Sequence, residues 1–243
     1  MKIIKLNAID STNSFLKEMA LDSALENFTV VVTNTQLKGR GQQGSKWVSD
    51  SFKNLMFSVF IKFEDLKITQ QRYLNFAISL AIFDALIEEK IPNIAIKWPN
   101  DIMSGNKKIA GILVENNLKG AKINTTIIGI GLNVNQTAFP DALKKVSSLK
   151  IENGRDFNLE VLLKNIISKL KMNIETLNSK EFKTLETDYL KVLYKKNIPT
   201  MFKNSKDVLF MGIIRGISND GKLQVELEDE ILQEFGIKEI SFL

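Results

Sequence analysis

The chain has 243 residues, of which 44% are hydrophobic and 25% are charged, enough for one large domain or for a domain with a small module. It contains no cysteine and no histidine, which excludes disulfides, Cys/His zinc sites and nucleophilic catalysis of the Ser-His-Asp or Cys-His type. The 33 basic and 28 acidic residues give a net charge of +5. They are spread along the chain, so charge alone does not indicate a nucleic-acid-binding protein.

The sequence has neither the apolar core of a signal peptide nor an apolar run of about 18 residues that could span a membrane. We therefore expect a soluble, cytoplasmic protein without a membrane partner.

Helical and strand patterns alternate along the first 195 residues. Residues 10–14 are a cluster of helix-capping residues before a short helix at 15–20, and residues 28–35 are a β-branched strand. The further predicted elements are, in order, a strand at 54–61, a long amphipathic helix at about 70–90, a strand at 94–97, a hairpin around 104–107 that continues to 115, a strand at 124–132, a loop at 137–148, and helices at 159–176 and 180–194. The long helix carries a stripe that we expect to face the core, namely Tyr73, Phe76, Ala77, Leu80, Phe83, Leu86 and Ile87.

After Asn197 the pattern changes to short strands, and Asn219-Asp220-Gly221 is typical of a hairpin turn. We place a domain boundary near Lys195, with one domain at 1–195 and a small β module at 196–243. A piece of this size is too small for a large core of its own, so we expect it to pack against the main domain.

The stretch Gly39-Arg40-Gly41-Gln42-Gln43-Gly44-Ser45-Lys46-Trp47 combines three glycines, two cations and an indole. Glycines allow close approach of the backbone to a ligand, and successive N–H groups with nearby cations favour phosphate. A strand follows this loop, rather than the helix of a dinucleotide-binding fold, and the Gly-Lys-Ser/Thr order of a P-loop is absent. A protein kinase is excluded because its catalytic loop needs a histidine. The stretch therefore indicates a phosphate-and-base site of another kind.

Two further clusters are Lys97-Trp98-Pro99-Asn100-Asp101 and Lys107-Lys108-Ile109-Ala110-Gly111-Ile112-Leu113-Val114-Glu115. Pro99 ends the first strand, so Asn100 and Asp101 should project at its end. Asp101 there has several possible roles: it can hold Mg²⁺, accept a proton, orient an amine, or merely cap a turn. Lys107 and Lys108 open a strand in which Ala110 and Gly111 are small enough for a ligand to approach.

In their order and spacing these three motifs resemble those of the biotin–protein ligases. Two more motifs fit the same family, Ser11-Thr12-Asn13 upstream and the stretch at 129–135 downstream, so the resemblance covers about residues 8–135. It implies an α/β fold with a mixed-sheet catalytic domain of the biotin/lipoate ligase type and a small C-terminal SH3-like β-barrel module.

The resemblance also implies a reaction. Biotin's carboxylate attacks the α-phosphorus of ATP to give biotinyl-AMP, and a lysine of a biotin carboxyl carrier protein domain then takes the biotin. Neither step needs a covalent enzyme nucleophile, which agrees with the lack of Cys and His; the protein positions reactants and neutralises charge. ATP, biotin and Mg²⁺ are the small molecules implied.

Residue roles are carried over by motif. Lys108, Arg40 and Asp101 are assigned to catalysis, with Asp101 facing either the acceptor amine or Mg²⁺. The residues assigned to biotin are Ser11, Thr12, Asn13, Gln36, Gly39, Arg40, Gly41, Lys108 and Gly111. The residues assigned to ATP or the adenylate are Arg40, Gly41, Gln42, Trp47, Asn100, Lys108 and Asn133, where Trp47 stacks on adenine and Asn133 binds it through its amide.

Two departures from the family pattern affect these expectations. Gln42 stands where many members carry a second loop Arg, and the early Ser11-Thr12 leaves no room for the DNA-binding domain of regulatory members. We therefore expect no specific DNA partner. The sequence leaves both a monomer and a homodimer open. The alternatives are a lipoate–protein ligase-like enzyme, whose loop has a different pattern, and a non-enzymatic nucleic-acid-binding protein.

Overall fold

The computed structural model describes residues 2–22, 24–228 and 230–243. In this part of the chain the elements are β1 (Ile3–Ile9), α1 (Thr12–Asp22), β2 (Thr29–Gln36), β3 (Leu55–Lys67), α2 (Gln71–Glu88), β4 (Ile94–Lys97), β5 (Asp101–Ser104), β6 (Lys107–Lys119), β7 (Lys122–Leu132), α3 (Leu149–Asn153), α4 (Leu159–Asn178), α5 (Phe182–Lys191), β8 (Pro199–Asn204), β9 (Leu209–Ile217), β10 (Leu223–Glu226), β11 (Leu232–Phe235) and β12 (Ile240–Phe242). Short 3₁₀ turns lie at Gln42–Gly44, Ile68–Gln70 and Asp141–Leu143.

Seven strands form a mixed sheet in the order β1-β2-β3-β7-β6-β5-β4. Strands β1 and β2 are parallel, and every other neighbouring pair is antiparallel. The three long strands β3, β7 and β6 lie at the centre. Because successive side chains of a strand point to opposite faces, this sheet offers two different surfaces.

One face of the mixed sheet packs against α2 and α4, and α5 packs on these two helices. Leu55, Phe57 and Val59 alternate along β3 and belong to the main core on this side. The opposite face carries α1, whose Leu16 packs with Phe60 of β3 in a smaller cluster. The part of this opposite face that α1 leaves uncovered is where the predicted site residues lie.

The predicted amphipathic stripe of α2 is wrong in part. Phe76, Ala77, Leu80 and Leu86 are buried as expected, and Tyr73 and Phe83 are partly buried, but Ile87 is 49% exposed. Buried residues also lie outside the stripe: Leu74, Ile78, Ala81, Ile82 and Ala85. The physical reason is that α2 lies between the sheet and helices α4 and α5, so it is buried on most of its circumference.

The C-terminal strands form a five-stranded antiparallel sheet in the order β11-β10-β9-β8-β12. The predicted turn at 219–221 joins β9 to β10, as expected. The sheet packs on the main body: Trp98 donates from its Nε1 to the carbonyl of Gly221 at 2.9 Å, and Arg72 donates to the carbonyl of Ser218 at 2.9 Å. Its buried side chains join the core of the mixed sheet. The division into domains at Lys195 stays a prediction.

The mixed α/β fold with a second antiparallel sheet is confirmed, and most predicted elements are present with shifted ends. The sequence patterns missed β1 and α3, and they began α1 three residues too late. No helix in the described part of the chain is long and apolar enough to cross a membrane.

Candidate active site

A pocket of about 250 Å³ lies over the uncovered face of the mixed sheet. It is lined by twelve of the fourteen predicted site residues, namely Ser11, Thr12, Asn13, Gln36, Arg40, Gly41, Gln42, Trp47, Asn100, Asp101, Lys108 and Gly111. Gly39 and Asn133 lie outside its lining. Segments far apart in the chain therefore converge on one pocket.

The floor of the pocket is centred on two glycines that are cross-strand partners, Gly131 and Gly111. Gly131 of β7 pairs with Met56 on one side and with Gly111 of β6 on the other, and Gly111 pairs with Asp101 of β5. A Cβ added to Gly131 would lie 2.4 Å from Cε2 of Trp47, and one added to Gly111 would lie 3.1 Å from Nζ of Lys108. Any larger residue in this row would displace a side chain of the site.

At one end of the pocket the hydrogen-bonding groups are neutral and buried. The backbone N–H and hydroxyl of Thr12 donate to Oε1 of Gln36 at 3.0 and 3.2 Å. The hydroxyl of Ser58 lies 2.7 Å from Oγ1 of Thr12 and 2.5 Å from Oδ1 of Asn13. Ser11 caps α1 by accepting from the N–H of Ser14. This end is a fixed network of hydroxyl and amide groups without a formal charge of its own.

Glu115 connects this neutral end to the glycine loop. Its Oε2 accepts from Nδ2 of Asn13 at 2.8 Å and from a guanidinium nitrogen of Arg40 at 2.9 Å. In this structure Arg40 therefore binds a carboxylate of β6. The loop itself is closed by hydrogen bonds from the N–H of Gly41 to the carbonyl of Ser45 and from the N–H of Trp47 to the carbonyl of Gly39.

At the other end of the pocket, Lys108 forms an ion pair with Asp101, with Nζ 2.6 Å from Oδ1. The two residues lie on neighbouring strands, β6 and β5, and both side chains are less than one-third exposed. Asn100 fixes the preceding turn by donating from Nδ2 to the carbonyl of Ile112 at 2.6 Å. The pocket thus has a charged end about two strands away from its neutral end.

Trp47 covers the glycine floor. Its ring lies against the positions of Gly111 and Gly131, and Nζ of Lys108 lies 5.7 Å from the ring centroid. Its Nε1 is buried and has no hydrogen-bond partner among the described residues. The indole of Trp47 therefore lies over the glycine floor with its Nε1–H unsatisfied.

Asn133 lies beside the pocket rather than in its lining. Its Nδ2 donates to the carbonyl of Ser147 at 3.0 Å, whereas its buried Oδ1 has no partner among the described residues. A buried amide oxygen without a donor is costly, and it is a suitable acceptor for an exocyclic amine.

Among the residues of the site that had no assigned role in the sequence are Ser58, Glu115, Gly129 and Gly131. The sequence could have indicated two of them. Side chains two positions apart on a strand point to the same face, so Gly129 and Gly131 leave that face of β7 without side chains. Ser58 is the hydroxyl residue within the otherwise apolar first half of β3. A Cβ on Gly129 would lie 2.4 Å from Oδ1 of Asn13, so this glycine holds the neutral end open.

The side chains of the site provide few ligands for Mg²⁺. In the described ranges no group of three or more His, Cys, Asp or Glu side chains could hold a metal ion, and Asp101 offers a single carboxylate that is already bound to Lys108. These residues do not form a protein metal site. Mg²⁺ at this place would depend on phosphate oxygens and water for most of its ligands.

Comparison with known proteins agrees with the geometry. The model of the Biotin/lipoate A/B protein ligase family matches residues 6–133, slightly more than half of the chain. The Bifunctional ligase/repressor BirA of Bacillus spizizenii is 28% identical over 233 residues, which cover 94% of this chain and 70% of that protein. The Biotin--[acetyl-CoA-carboxylase] ligase of Mycobacterium tuberculosis is 31% identical over 129 residues, which cover 52% of this chain and 47% of that protein.

Among solved structures, the biotin protein ligase from Aquifex aeolicus in complex with biotin and ATP superposes with a TM-score of 0.81 at 27% identity. The match covers 100% of this chain and 98% of that one. Sequence motifs, pocket and fold agree with the family match. The chain belongs to the biotin/lipoate A/B protein ligase family.

Proposed function

We propose that this chain activates biotin with ATP to biotinyl-AMP and transfers the biotin to a lysine of a biotin carrier protein domain. The observation that carries the proposal is the pocket with a neutral, hydrogen-bonding end and a Lys108–Asp101 end, joined by a glycine floor. The related Aquifex aeolicus ligase, whose complex holds biotin and ATP, supports it.

The neutral end fits the ureido ring of biotin, which has two N–H donors and one carbonyl acceptor and carries no charge. Thr12 donates two hydrogen bonds to Oε1 of Gln36. The Nε2 group of Gln36 can then donate to the ureido carbonyl. The bond from Nδ2 of Asn13 to Glu115 fixes the orientation of its amide. Oδ1 accepts from the Ser58 hydroxyl and keeps a second lone pair for a ureido N–H. The rings then lie over Gly111 and Gly131.

Lys108 is the cation that lies between the biotin carboxylate and the α-phosphate of ATP in this proposal. In the reaction, the biotin carboxylate oxygen attacks the α-phosphorus, and a cation between the carboxylate and the phosphate offsets their repulsion. Lys108 stands where the glycine floor meets the charged end, so its ammonium can exchange Asp101 for these oxygens. Arg40 supplies a second cation once it leaves Glu115, with the loop amides around Gly41 and Gln42.

Asn133 and Trp47 supply the adenine contacts in this proposal. The free Oδ1 of Asn133 accepts from the adenine amine, which removes an unsatisfied buried atom. Trp47 must move from its place over the floor to stack on the base.

In the transfer step Asp101, released from Lys108, orients the incoming lysine amine. Any Mg²⁺ in the reaction arrives with ATP.

The acceptor is a protein domain rather than a DNA site. Many of the described basic residues are paired with carboxylates on the surface, as Lys122 is with Asp65, and a paired cation is less available to a phosphate backbone. Saturable binding to one DNA site that survives moderate salt would contradict this part of the proposal.

The test is transfer of labelled biotin to a carrier domain with ATP, with lipoate as competitor. We expect transfer that requires both biotin and ATP and that excess lipoate does not reduce. Transfer of lipoate in preference to biotin would indicate the lipoate-ligase alternative instead.

A further inference from the structure

Glu115 bonds two side chains that the proposed function uses, although it is not one of the described residues that line the pocket. It lines a separate cavity of about 540 Å³. Its side chain is 26% exposed, and its Oε2 accepts from Nδ2 of Asn13 at 2.8 Å and from a guanidinium nitrogen of Arg40 at 2.9 Å. An effect of Glu115 on a ligand in the pocket therefore acts through these two neighbours.

The side-chain amide of Asn13 is tightly enclosed. The residue is 3% exposed, and a Cβ on Gly129 would lie 2.4 Å from its Oδ1 and 3.1 Å from its Nδ2. Within this space the amide has two arrangements, related by a half-turn that exchanges Oδ1 with Nδ2. One arrangement presents an acceptor to the hydroxyl of Ser58, and the other presents a donor.

The hydroxyl groups beside Asn13 favour the turned arrangement. Three contacts of 3.2, 2.7 and 2.5 Å connect, in order, Oε1 of Gln36, Oγ1 of Thr12, Oγ of Ser58 and Oδ1 of Asn13. Each hydroxyl group has one proton, so two hydroxyl protons serve these three contacts. With the amide turned, an N–H of Asn13 would supply the third proton and complete the chain.

The observed arrangement is instead fixed from the opposite side, by Glu115. A carboxylate only accepts hydrogen bonds, so the turn would place Oδ1 of Asn13 where Nδ2 now lies, 2.8 Å from an anionic oxygen. The carbonyl of Leu113, 3.4 Å from the same Nδ2, opposes the turn more weakly. Glu115 therefore determines that Asn13 presents an acceptor to Ser58 and to the pocket.

Resting on the proposed function, we propose that Glu115 is a positioning residue that determines specificity for the ureido ring, because through Asn13 it makes this end of the pocket an acceptor for a ureido N–H. A ligand N–H directed at Asn13 finds a lone pair in the observed arrangement and meets another N–H in the turned one. Arg40 takes part, since its guanidinium neutralises the carboxylate that fixes the amide.

The competing explanation is that Glu115 only stabilises the fold as the partner of Arg40. Glu115→Gln separates the two explanations, because a glutamine at this position satisfies every neighbour once the amide of Asn13 turns. Its carbonyl accepts from Arg40 and its Nε2 donates to Oδ1 of Asn13, whose Nδ2 then donates to Ser58. The hydrogen bonds of the fold are kept, while the polarity that Asn13 presents to a ligand is inverted.

The experiment measures the Kd for biotin alone by calorimetry, and the midpoint of denaturant unfolding, for wild type and Glu115→Gln. We expect the variant to raise the Kd about tenfold or more, because a buried N–H of the ligand then faces a donor. Its unfolding midpoint should stay at the wild-type value. Asp10→Asn is the matched control, since it also removes one carboxylate beside the glycine loop, where Asp10 binds Lys38. It should leave both quantities unchanged.

Asn13→Asp provides a rescue in the Glu115→Gln background. The two oxygens of an aspartate are equivalent, so no half-turn removes the acceptor, and the introduced glutamine donates to one of them. We expect the double variant to bind biotin about fivefold or more tightly than Glu115→Gln, because the ureido N–H regains its acceptor. Asn13→Asp alone should bind biotin poorly, since it sets two carboxylates against each other.

A wild-type Kd in Glu115→Gln would overturn the proposal, as would a raised Kd that comes with a lower unfolding midpoint. A folded double variant that binds no better than Glu115→Gln would overturn it as well. If Glu115→Gln does not fold, Glu115→Ala decides in the same assays, because it also releases Asn13 to turn. A wild-type chain that binds no biotin would instead contradict the proposed function.

Discussion

The two ends of the candidate active-site pocket are built in opposite ways. At the neutral end, Thr12, Gln36, Ser58 and Asn13 are already hydrogen-bonded to one another and hold a fixed shape. At the charged end, Lys108 is bound to Asp101, a partner that it leaves in the proposed reaction. In the proposed function, the neutral end acts because it is preorganised, whereas the charged end acts because its ion pair can be exchanged.

This difference teaches which kind of substitution each end tolerates. A fixed network loses binding when one member is removed, because the remaining buried partners stay unsatisfied. An exchangeable ion pair loses reaction rate instead, because its partner in the transition state is an anion that is absent from the resting protein. The following predictions test that contrast.

The largest effect is expected for Lys108→Ala. Removing the ammonium leaves the carboxylate and the α-phosphate without a shield, so we expect a loss of at least about 3 kcal/mol of transition-state stabilisation, the scale for deleting one preorganised donor. Biotin-dependent release of pyrophosphate measures it. Lys107→Ala is the matched control, because Nζ of Lys107 lies 3.8 Å from Oε1 of Glu152, outside the pocket. Near-normal release by a folded Lys108→Ala protein would refute the assignment.

At the neutral end, Ser58→Ala should weaken biotin binding and leave the maximal rate of adenylate formation nearly unchanged. The buried hydroxyl joins Thr12 to Asn13, so its loss should cost about 1–3 kcal/mol in the Kd for biotin. Equilibrium titration with biotin measures it, and Ser79→Ala, a buried serine of α2, is the control. An unchanged Kd would mean that the network is not what holds the ureido ring.

Lys97, the cross-strand partner of Asp101, allows a pH test that needs no substrate. Its pKa is lowered from the ordinary value of 10.5, chiefly by burial. In the window below pH 10.5 the unfolded chain therefore binds more protons at this residue than the folded chain, and stability rises with pH there. Lys97→Met removes this contribution, so we expect it to be more stable than wild type at neutral pH.

The stability advantage of Lys97→Met should shrink as the pH approaches 10.5. Denaturant unfolding of both proteins across this range measures the difference. An advantage that is constant with pH would show that burial of Lys97 does not disfavour its charged form.

The smallest effect is expected for Gln42→Arg. Lys38, Arg40 and Lys46 already surround the loop, so an added guanidinium should change the dissociation rate of biotinyl-AMP less than about threefold. Arg40→Ala, in contrast, should raise that rate strongly. Dissociation of isolated labelled biotinyl-AMP measures both, and a large slowing in Gln42→Arg would make position 42 the residue that controls retention.

The motifs were visible in the sequence because each is a local pattern of glycines, cations and turn residues. Lys97 to Asp101 and Lys108 to Glu115 were assigned to strands and a turn correctly, and their convergence on one pocket followed from the family resemblance. Local patterns could not show the row of cross-strand partners from Gly131 through Gly111 and Asp101 to Lys97, because strand order and register are long-range properties.

The missed features share the same cause. Strand β1 pairs in parallel with β2, and its alternation of polar and apolar residues is too weak to distinguish without its partner. Glu115 was read as the end of a motif, and the structure shows it bridging Asn13 and Arg40. That bridge joins residues about 75 and 100 positions apart in the chain, a contact that only the folded sheet creates.

The chain has two tryptophans, and their different settings give it a built-in optical reporter. Trp98 is 7% exposed and bonded to the C-terminal sheet, so its emission should be nearly insensitive to substrates. Trp47 lies in the glycine loop over the pocket floor, where any ligand must displace or cover its ring. Replacing Trp98 with Phe would leave a single fluorophore, whose intensity and wavelength would then follow the loop in stopped-flow time without any attached dye.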